Sequence, residues 1–247
     1  PAYDLIVMPF GKFIKMKLDT RDTSALKYKA MLIIQDLLAF HLQDDKPDAF
    51  VDIDLRRLQF VHDNIVGIAR PDQTYLEALQ NIKSNYPGHA INTRVTYQMA
   101  LIHEKLGNQY DPHAAPQYQW ELREAVELCR EAIKSFPASV GANNCKVIKA
   151  RIERPHLSFN TAGVEVPGEP ILALLSFRNT EKAKIRFVKT NYESYRELQR
   201  NKRSVELIKA YMDYPTHAEE SYELTNTGDF QLHSAQVALP PLESGFY

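Results

Sequence analysis

The chain has 247 residues, of which 44% are hydrophobic and 25% charged, with a formal net charge of -1. This near-neutral balance gives no bulk electrostatic reason to bind nucleic acid or an anionic membrane. The longest apolar runs, such as residues 30–34, are far shorter than the roughly 20 apolar residues that a transmembrane helix needs. The length suits one large core or two modest ones, because single domains usually hold about 100 to 200 residues.

Residues 1–151 have the hydrophobic spacing of α-helices. Leu26, Ala30 and Ile33 recur three and four positions apart, as on one helix face. We expect Asp72 and Ser139 to act as N-caps. Together with the flanking prolines and glycines, the spacing predicts antiparallel helices at 24–43, 54–68, 72–86, 93–106, 121–136 and 140–151.

The helical part contains an internal repeat. An Ile-Lys-Ser-Asn-Tyr-Pro segment ends at Pro87, and an Ile-Lys-Ser-Phe-Pro segment ends at Pro137. In the second unit Ala100 and Gly107 lie at positions where a tetratricopeptide repeat has small residues, which let paired helices approach closely. The connection 108–119 is longer than the usual tight turn, so we predict a degenerate tetratricopeptide-like helical array.

Three aromatic residues mark the candidate interaction surface of this array: Tyr110, Tyr118 and Trp120. Helical repeat arrays commonly bind peptides on an extended concave face, which these side chains could line. The alternative interpretation is that they pack the long connection onto its own helices.

The hydrophobic pattern changes at Arg154-Pro155. Beyond it apolar residues alternate, and strands are predicted at 156–160, 171–178, 183–190, 221–225 and 230–239, with a helical insert at 192–212. We therefore predict an α+β fold. Residues 1–151 form an all-α domain, and residues 152–247 form an antiparallel β-sandwich of macroglobulin or fibronectin III type, incomplete at its C-terminus.

Charge is unevenly placed in the strand part. Basic residues are concentrated in 182–209, and an acidic segment without Lys or Arg follows at 213–229. We interpret the basic segment as a solvated face beside its acidic neighbour. The alternative is a basic amphipathic helix that touches a partner or a membrane surface.

No motif of known chemistry is present in the sequence. HExxH, GxSxG, Walker, strand-following GxGxxG and EF-hand patterns are all missing, so we assign no catalytic, cofactor-binding or metal-ligating residue. Cys129 and Cys145 lack CxxC spacing and are predicted to be buried thiols on neighbouring helices, with a disulfide as the alternative. His41, His62 and His103 have no second ligand one turn away, so we expect ordinary surface or satisfied imidazoles.

Several short motifs resemble one protein family. They are Ile-Glu-Arg-Pro-His-Leu-Ser-Phe at 152–159, Pro-Gly-Glu-Pro at 167–170, Leu-Ser-Phe-Arg-Asn at 175–179 and Asp-Phe-Gln-Leu-His at 229–233, with 136–142 and Tyr3-Asp4-Leu5 upstream. Together they resemble the N-terminal part of large bacterial alpha-2-macroglobulin-like proteins, of the type in Bacteroides relatives where helical repeats precede the first macroglobulin-like domain.

The resemblance implies a role in a protease trap. In that family a bait segment is cut, the molecule rearranges, and many members capture the protease through a Cys-Gly-Glu-Gln thioester. Neither Cys129-Arg130-Glu131 nor Cys145-Lys146-Val147 matches that thioester, and no bait region is evident. The implied role is a non-enzymatic scaffold in the cell envelope. Its implied partners are further macroglobulin-like domains of a parent chain and the target proteases of that parent.

A second hypothesis is that the chain is a binding module and not part of a protease trap. A tetratricopeptide-like module of the cell envelope would bind peptide or glycan through Tyr110, Tyr118 and Trp120. An enzyme would require convergent titratable groups that the sequence does not reveal. The chain begins at Pro1 without an initiator Met and ends on an unfinished hairpin, so we expect a fragment of a longer protein.

Overall fold

The computed structural model describes residues 8–20, 22–64, 66–67 and 69–247. Within these residues α-helices come first and antiparallel strands follow, as expected from the change of hydrophobic pattern. The chain divides between Ile152 and Glu153 into two compact units. Tyr3, Asp4 and Leu5 of the family resemblance lie outside the described residues.

The first unit contains seven α-helices among its described residues. They are α1 (Phe10–Lys15), α2 (Leu26–His41), α3 (Asp48–Asn64), α4 (Pro71–Asn85), α5 (Asn92–Gly107), α6 (Glu121–Ser135) and α7 (Val140–Ile152), with a short 3-10 helix at Pro116–Tyr118. Helix α1 was not predicted. Helix α3 begins at Asp48, well before the expected start, because Phe50 and Val51 are buried and extend its apolar face.

The two predicted N-caps have different outcomes. Ser139 caps α7, since its Oγ accepts a hydrogen bond from the backbone N–H of Ala142 at 3.2 Å. The prediction for Asp72 is wrong, because α4 begins one residue earlier, at Pro71. Proline suits the first helical position because its missing N–H is one that the helix leaves unpaired.

Close approach of backbones fixes the packing of α5, α6 and α7. A Cβ atom on Gly141 would lie 2.2 Å from the carbonyl carbon of Thr93, at the start of α5. A Cβ atom on Gly107 would lie 2.6 Å from Cγ of Leu122, on α6. Gly107 therefore allows the close approach of α5 and α6 that was expected of it, whereas the contact at Gly141 was not anticipated from the sequence.

The second unit has five strands among its described residues: β1 (His156–Asn160), β2 (Ile171–Arg178), β3 (Lys182–Val188), β4 (Thr216–Glu223) and β5 (His233–Leu239). One antiparallel sheet has the order β1-β2-β5, and a second pairs β3 with β4. In the first sheet Leu175 of β2 lies opposite Phe159 on one side and Ala235 on the other.

The apolar faces of the two sheets contact each other. In β2, Ile171, Ala173, Leu175 and Phe177 are buried. Ile185 of β3 and Tyr222 of β4 pack against the same cluster. The hydroxyl of Tyr222 also donates a hydrogen bond to the carbonyl oxygen of Ala238, on β5, at 2.8 Å.

The insert between β3 and β4 is helical, as predicted, but it consists of two helices. Helix α8 covers Tyr192–Asn201, helix α9 covers Ser204–Met212, and neither has a fully buried residue. Asn191 caps α8 by accepting a hydrogen bond from the backbone N–H of Ser194 at 2.8 Å. Strand β4 begins earlier than expected, because its glutamates conceal the alternation of half-buried and exposed positions.

The basic and acidic segments meet across β3 and β4. Lys182 pairs with Glu223 at 3.0 Å, and Lys184 pairs with Glu219 at 2.8 Å. All four side chains are exposed, so these basic and acidic residues form a solvated face across β3 and β4.

Candidate interaction surface

The connection between α5 and α6 is an ordered loop built around Asp111. One carboxylate oxygen of Asp111 accepts hydrogen bonds from the backbone N–H groups of His113 and Ala114, at 2.8 and 2.7 Å. These bonds hold the pKa of the Asp111 carboxyl below its ordinary value. A bridge between Asp111 and Ala115 then closes the turn, and the 3-10 helix leads into α6.

The three predicted aromatic residues do not share one environment. Tyr110 is half-buried, and Tyr118 is half-buried against the hydrophobic core of the helical unit. Trp120 is 45% exposed, and the guanidinium carbon of Arg123 lies 5.7 Å from the centre of its ring. Tyr118 therefore follows the packing interpretation, whereas Trp120, with its cationic neighbour, stays available on the surface.

Ion pairs position the helices on either side of this loop. His103 on α5 lies 2.6 Å from the carboxylate of Glu121, the first residue of α6. Glu104, which is nearly buried, accepts two hydrogen bonds from the guanidinium group of Arg151 on α7, at 2.7 and 2.5 Å. Bidentate pairs of this kind fix orientation as well as distance. Trp120 thus lies next to helices whose relative positions are fixed by these ion pairs.

The histidines singled out in the sequence each have an acidic partner. His41 lies 2.8 Å from Asp44, and His62 lies 2.8 Å from Asp72. Lys105 also contacts Asp72, at 2.7 Å. Burial alone would raise the pKa of Asp72, but the hydrogen bonds from Lys105 and His62 outweigh it, and the pKa is lowered overall. This cluster joins α3, α4 and α5.

Both cysteines are buried free thiols on neighbouring helices, Cys129 on α6 and Cys145 on α7. This agrees with the first of the two predictions made for them. The hydrogen bond to Cys145, together with burial, raises the pKa of the Cys129 thiol. A thiol of raised pKa is a poor nucleophile at neutral pH, because the thiolate is the reactive form.

A groove in the strand unit was not anticipated from the sequence. It has a volume of about 710 Å³ and lies between the β1–β2 connection, β3 and the C-terminal residues. Phe187, Leu242 and Phe246 line it, with Arg186 at the same site. These residues come from segments far apart in the chain, so spacing along the sequence gives no signal for their meeting.

Comparison of this chain with protein families, with curated proteins and with solved structures gives no match. Among the described residues no helix is both long enough and apolar enough to cross a membrane. Within the same residues no three histidine, cysteine or carboxylate side chains are grouped so that they could hold a metal ion.

Proposed function

We propose that the chain is a non-catalytic scaffold module of an alpha-2-macroglobulin-like protease trap. The observation that supports this most is the strand order of the second unit. In immunoglobulin-like sandwiches the first, second and fifth strands share one sheet, and the third strand belongs to the other. The pairing of β1, β2 and β5, with β3 in the facing sheet, agrees with this arrangement. Strand β4 departs from the constant-type order, because it pairs with β3 and not with β5.

The C-terminal residues add a second argument for a macroglobulin-like sandwich. The backbone N–H of Thr190 donates to the carbonyl oxygen of Phe246 at 2.8 Å, in an isolated antiparallel bridge just beyond the end of β3. In a seven-strand sandwich the sixth strand pairs with the third. A strand that included Phe246 would be a neighbour of the chain that continues from β3, and the bridge to Thr190 supports the sandwich proposal in this way.

The helical unit fits this proposal as a degenerate tetratricopeptide-like array ahead of the first macroglobulin-like domain. The close packing of α5, α6 and α7, which Gly107 and Gly141 allow, supports this part of the proposal. In the proposed assembly the partners are further macroglobulin-like domains and the trapped protease. The proposed location is the cell envelope, which rests on the sequence resemblance.

Protease trapping has a distinctive kinetic test. A trap encloses the protease, so it blocks large protein substrates and leaves small peptide substrates accessible. The parent protein should be incubated with trypsin or elastase and assayed with casein and with a short fluorogenic peptide. We expect loss of casein hydrolysis with peptide hydrolysis retained, and the same result for a parent lacking residues 1–152. Equal inhibition of both substrates, or of neither, would contradict the proposal.

The exposure of Trp120 favours a second candidate function, a cell-envelope module that binds peptide or glycan. Trp120 is the only tryptophan in the chain, so intrinsic fluorescence reports directly on this surface. Ligands selected on peptide and glycan arrays should shift the emission of the native protein, and Trp120→Ala should abolish their capture. Capture that survives this substitution would show that the loop is not the binding surface.

A further inference from the structure

Helix α2 carries an apolar stripe on the face that points away from its own core. Met31, Gln35 and Leu38 are buried, and α2 packs with them against α1 and α3. On the other side of the helix Leu26 is 82% exposed and Phe40 72% exposed. Side chains of this size are exposed singly on most proteins, but a contiguous patch marks a binding surface.

The spacing of the exposed residues is that of a helix-pairing seam. Leu26, Ile33 and Phe40 are seven residues apart, with Ala30 and Leu37 between them. Apolar residues alternating four and three positions apart form the stripe along which two helices pack in a coiled coil. The stripe is four turns long, so it could match a second helix of equal length.

Helical arrays need polar faces at their ends to remain soluble. The exposed face of α2 is apolar. This is expected of a helix that packs against another helix, and it is not expected of the terminal helix of an array. Packing of this kind requires a partner with a complementary stripe and complementary charges.

Charges beside the stripe identify a suitable partner. Lys29 and Asp36 are exposed on the same flank, and neither forms an ion pair with any described residue. In an antiparallel pair of α2 helices, Lys29 of one copy lies level with Asp36 of the other, and the reverse pair forms by symmetry. A parallel pair would instead bring like charges to the same level, which is unfavourable.

We propose that the exposed face of α2 binds a second copy of this chain, in an antiparallel two-fold pair centred near Leu32 and Ile33. The interface is isologous, because each copy contributes the same stripe and the same two charges. The antiparallel order also places the N-terminal end of each helix near the C-terminal end of its partner, which is favourable for the helix dipoles.

The first test is the oligomeric state of the native chain, measured by sedimentation over a concentration series. We expect a monomer–dimer equilibrium that Ile33→Glu shifts fully to monomer. Val147→Glu is the matched control, since Val147 is an exposed apolar residue on α7, and it should leave the dimer intact. Circular dichroism verifies that each variant folds. A native chain that is monomeric at every concentration would overturn the proposal.

The second test addresses the charge pairs that favour an antiparallel orientation of the two α2 helices. Lys29→Glu and Asp36→Lys should each raise the dimer dissociation constant by about tenfold, because two symmetric pairs become repulsive. The double variant restores opposite charges and should recover the native constant. A double variant as weak as either single variant would contradict the charge pairing.

Cross-linking distinguishes the two helix directions. Because the native cysteines are buried, single introduced cysteines report on the interface under an added disulfide oxidant such as oxidised glutathione. Ile33→Cys should form a disulfide-linked dimer, since it lies near the two-fold axis. Leu26→Cys should not, because an antiparallel pair separates its two copies by about 20 Å along the axis at 1.5 Å per residue. Equal cross-linking at both positions would contradict the antiparallel pair.

Discussion

Gly141 sets the distance between two helices by having no side chain. A Cβ atom on this residue would coincide with backbone, because the carbonyl carbon and oxygen of Thr93 and the N of Arg94 would all lie within 2.5 Å of it. Backbone atoms cannot rotate away as a flexible side chain can. The packing of α7 against α5 therefore depends on this one residue type.

We expect Gly141→Ala to lower the free energy of unfolding by about 1 to 3 kcal/mol, the usual cost of overpacking. The rigid backbone contact outweighs the roughly 1 kcal/mol that alanine gains over glycine inside a helix. Urea denaturation followed by circular dichroism measures the change. Gly11→Ala in α1 is the control, since nothing lies within 4 Å of its Cβ position, and it should be neutral or stabilising.

Asp72 should make stability depend on acid pH. Its pKa is lowered in the folded state, so its contribution is complete above the unfolded value, about 3.9, and is lost as the pH falls through the folded value. We expect Asp72→Asn to be less stable than the native chain at pH 7 and to lose less stability between pH 5 and pH 2. Parallel slopes for the two proteins would show that Asp72 contributes nothing to this dependence.

At the scale of single elements, β2 offers a matched pair of leucines. Leu175 is completely buried between the sheets, whereas Leu172 on the opposite face of the same strand is 59% exposed. Leu175→Ala should cost about 2 to 5 kcal/mol of unfolding free energy, the range for large-to-small changes in a core. Leu172→Ala should cost much less, and equal losses in thermal unfolding would contradict the packing of the two sheets.

Elements with a strong periodic pattern were predictable from the sequence. Helices α5, α6 and α7 and strands β1 and β2 lie within a residue or so of their expected bounds, since each has clear apolar periodicity and end signals. Asp72 was misassigned because an acidic residue in the first turn resembles an N-cap in sequence. The predicted position of strand β4 was wrong because the strand is rich in glutamate, and charged residues are not a strand signal. The glutamates are accounted for by their ion pairs with the lysines of β3, which the sequence alone does not show.

The candidate surface was predictable only in part. The sequence identified the aromatic residues of the α5–α6 loop, but the separation of a half-buried Tyr118 from an exposed Trp120 depends on the core beneath them. The stripe on α2 was visible as periodicity, yet periodicity alone does not tell which face of a helix is covered. The groove beside Phe187 depends on contacts between distant segments.

At the scale of the whole molecule, each compact unit has hydrophobic clusters of its own. The main helical cluster draws its buried residues from Phe13 to Leu106, and the strand clusters draw theirs from Ile171 to Leu242. A unit with its own core is expected to fold alone. We therefore expect residues 1–152, produced separately, to unfold cooperatively with a helical circular dichroism spectrum. A fragment without a cooperative transition would contradict this division.

The pairing of β2 with β5 has a consequence for the order of folding. Leu175 lies opposite Ala235, so this ladder joins residues 60 positions apart. Long-range pairing is slow, because loop closure must precede the contacts that stabilise it. The helical unit, with its many neighbouring contacts, can fold while the chain is still being synthesised. Until β5 leaves the ribosome, one edge of β2 remains unpaired, and an unpaired strand edge in a nascent chain can pair with another chain.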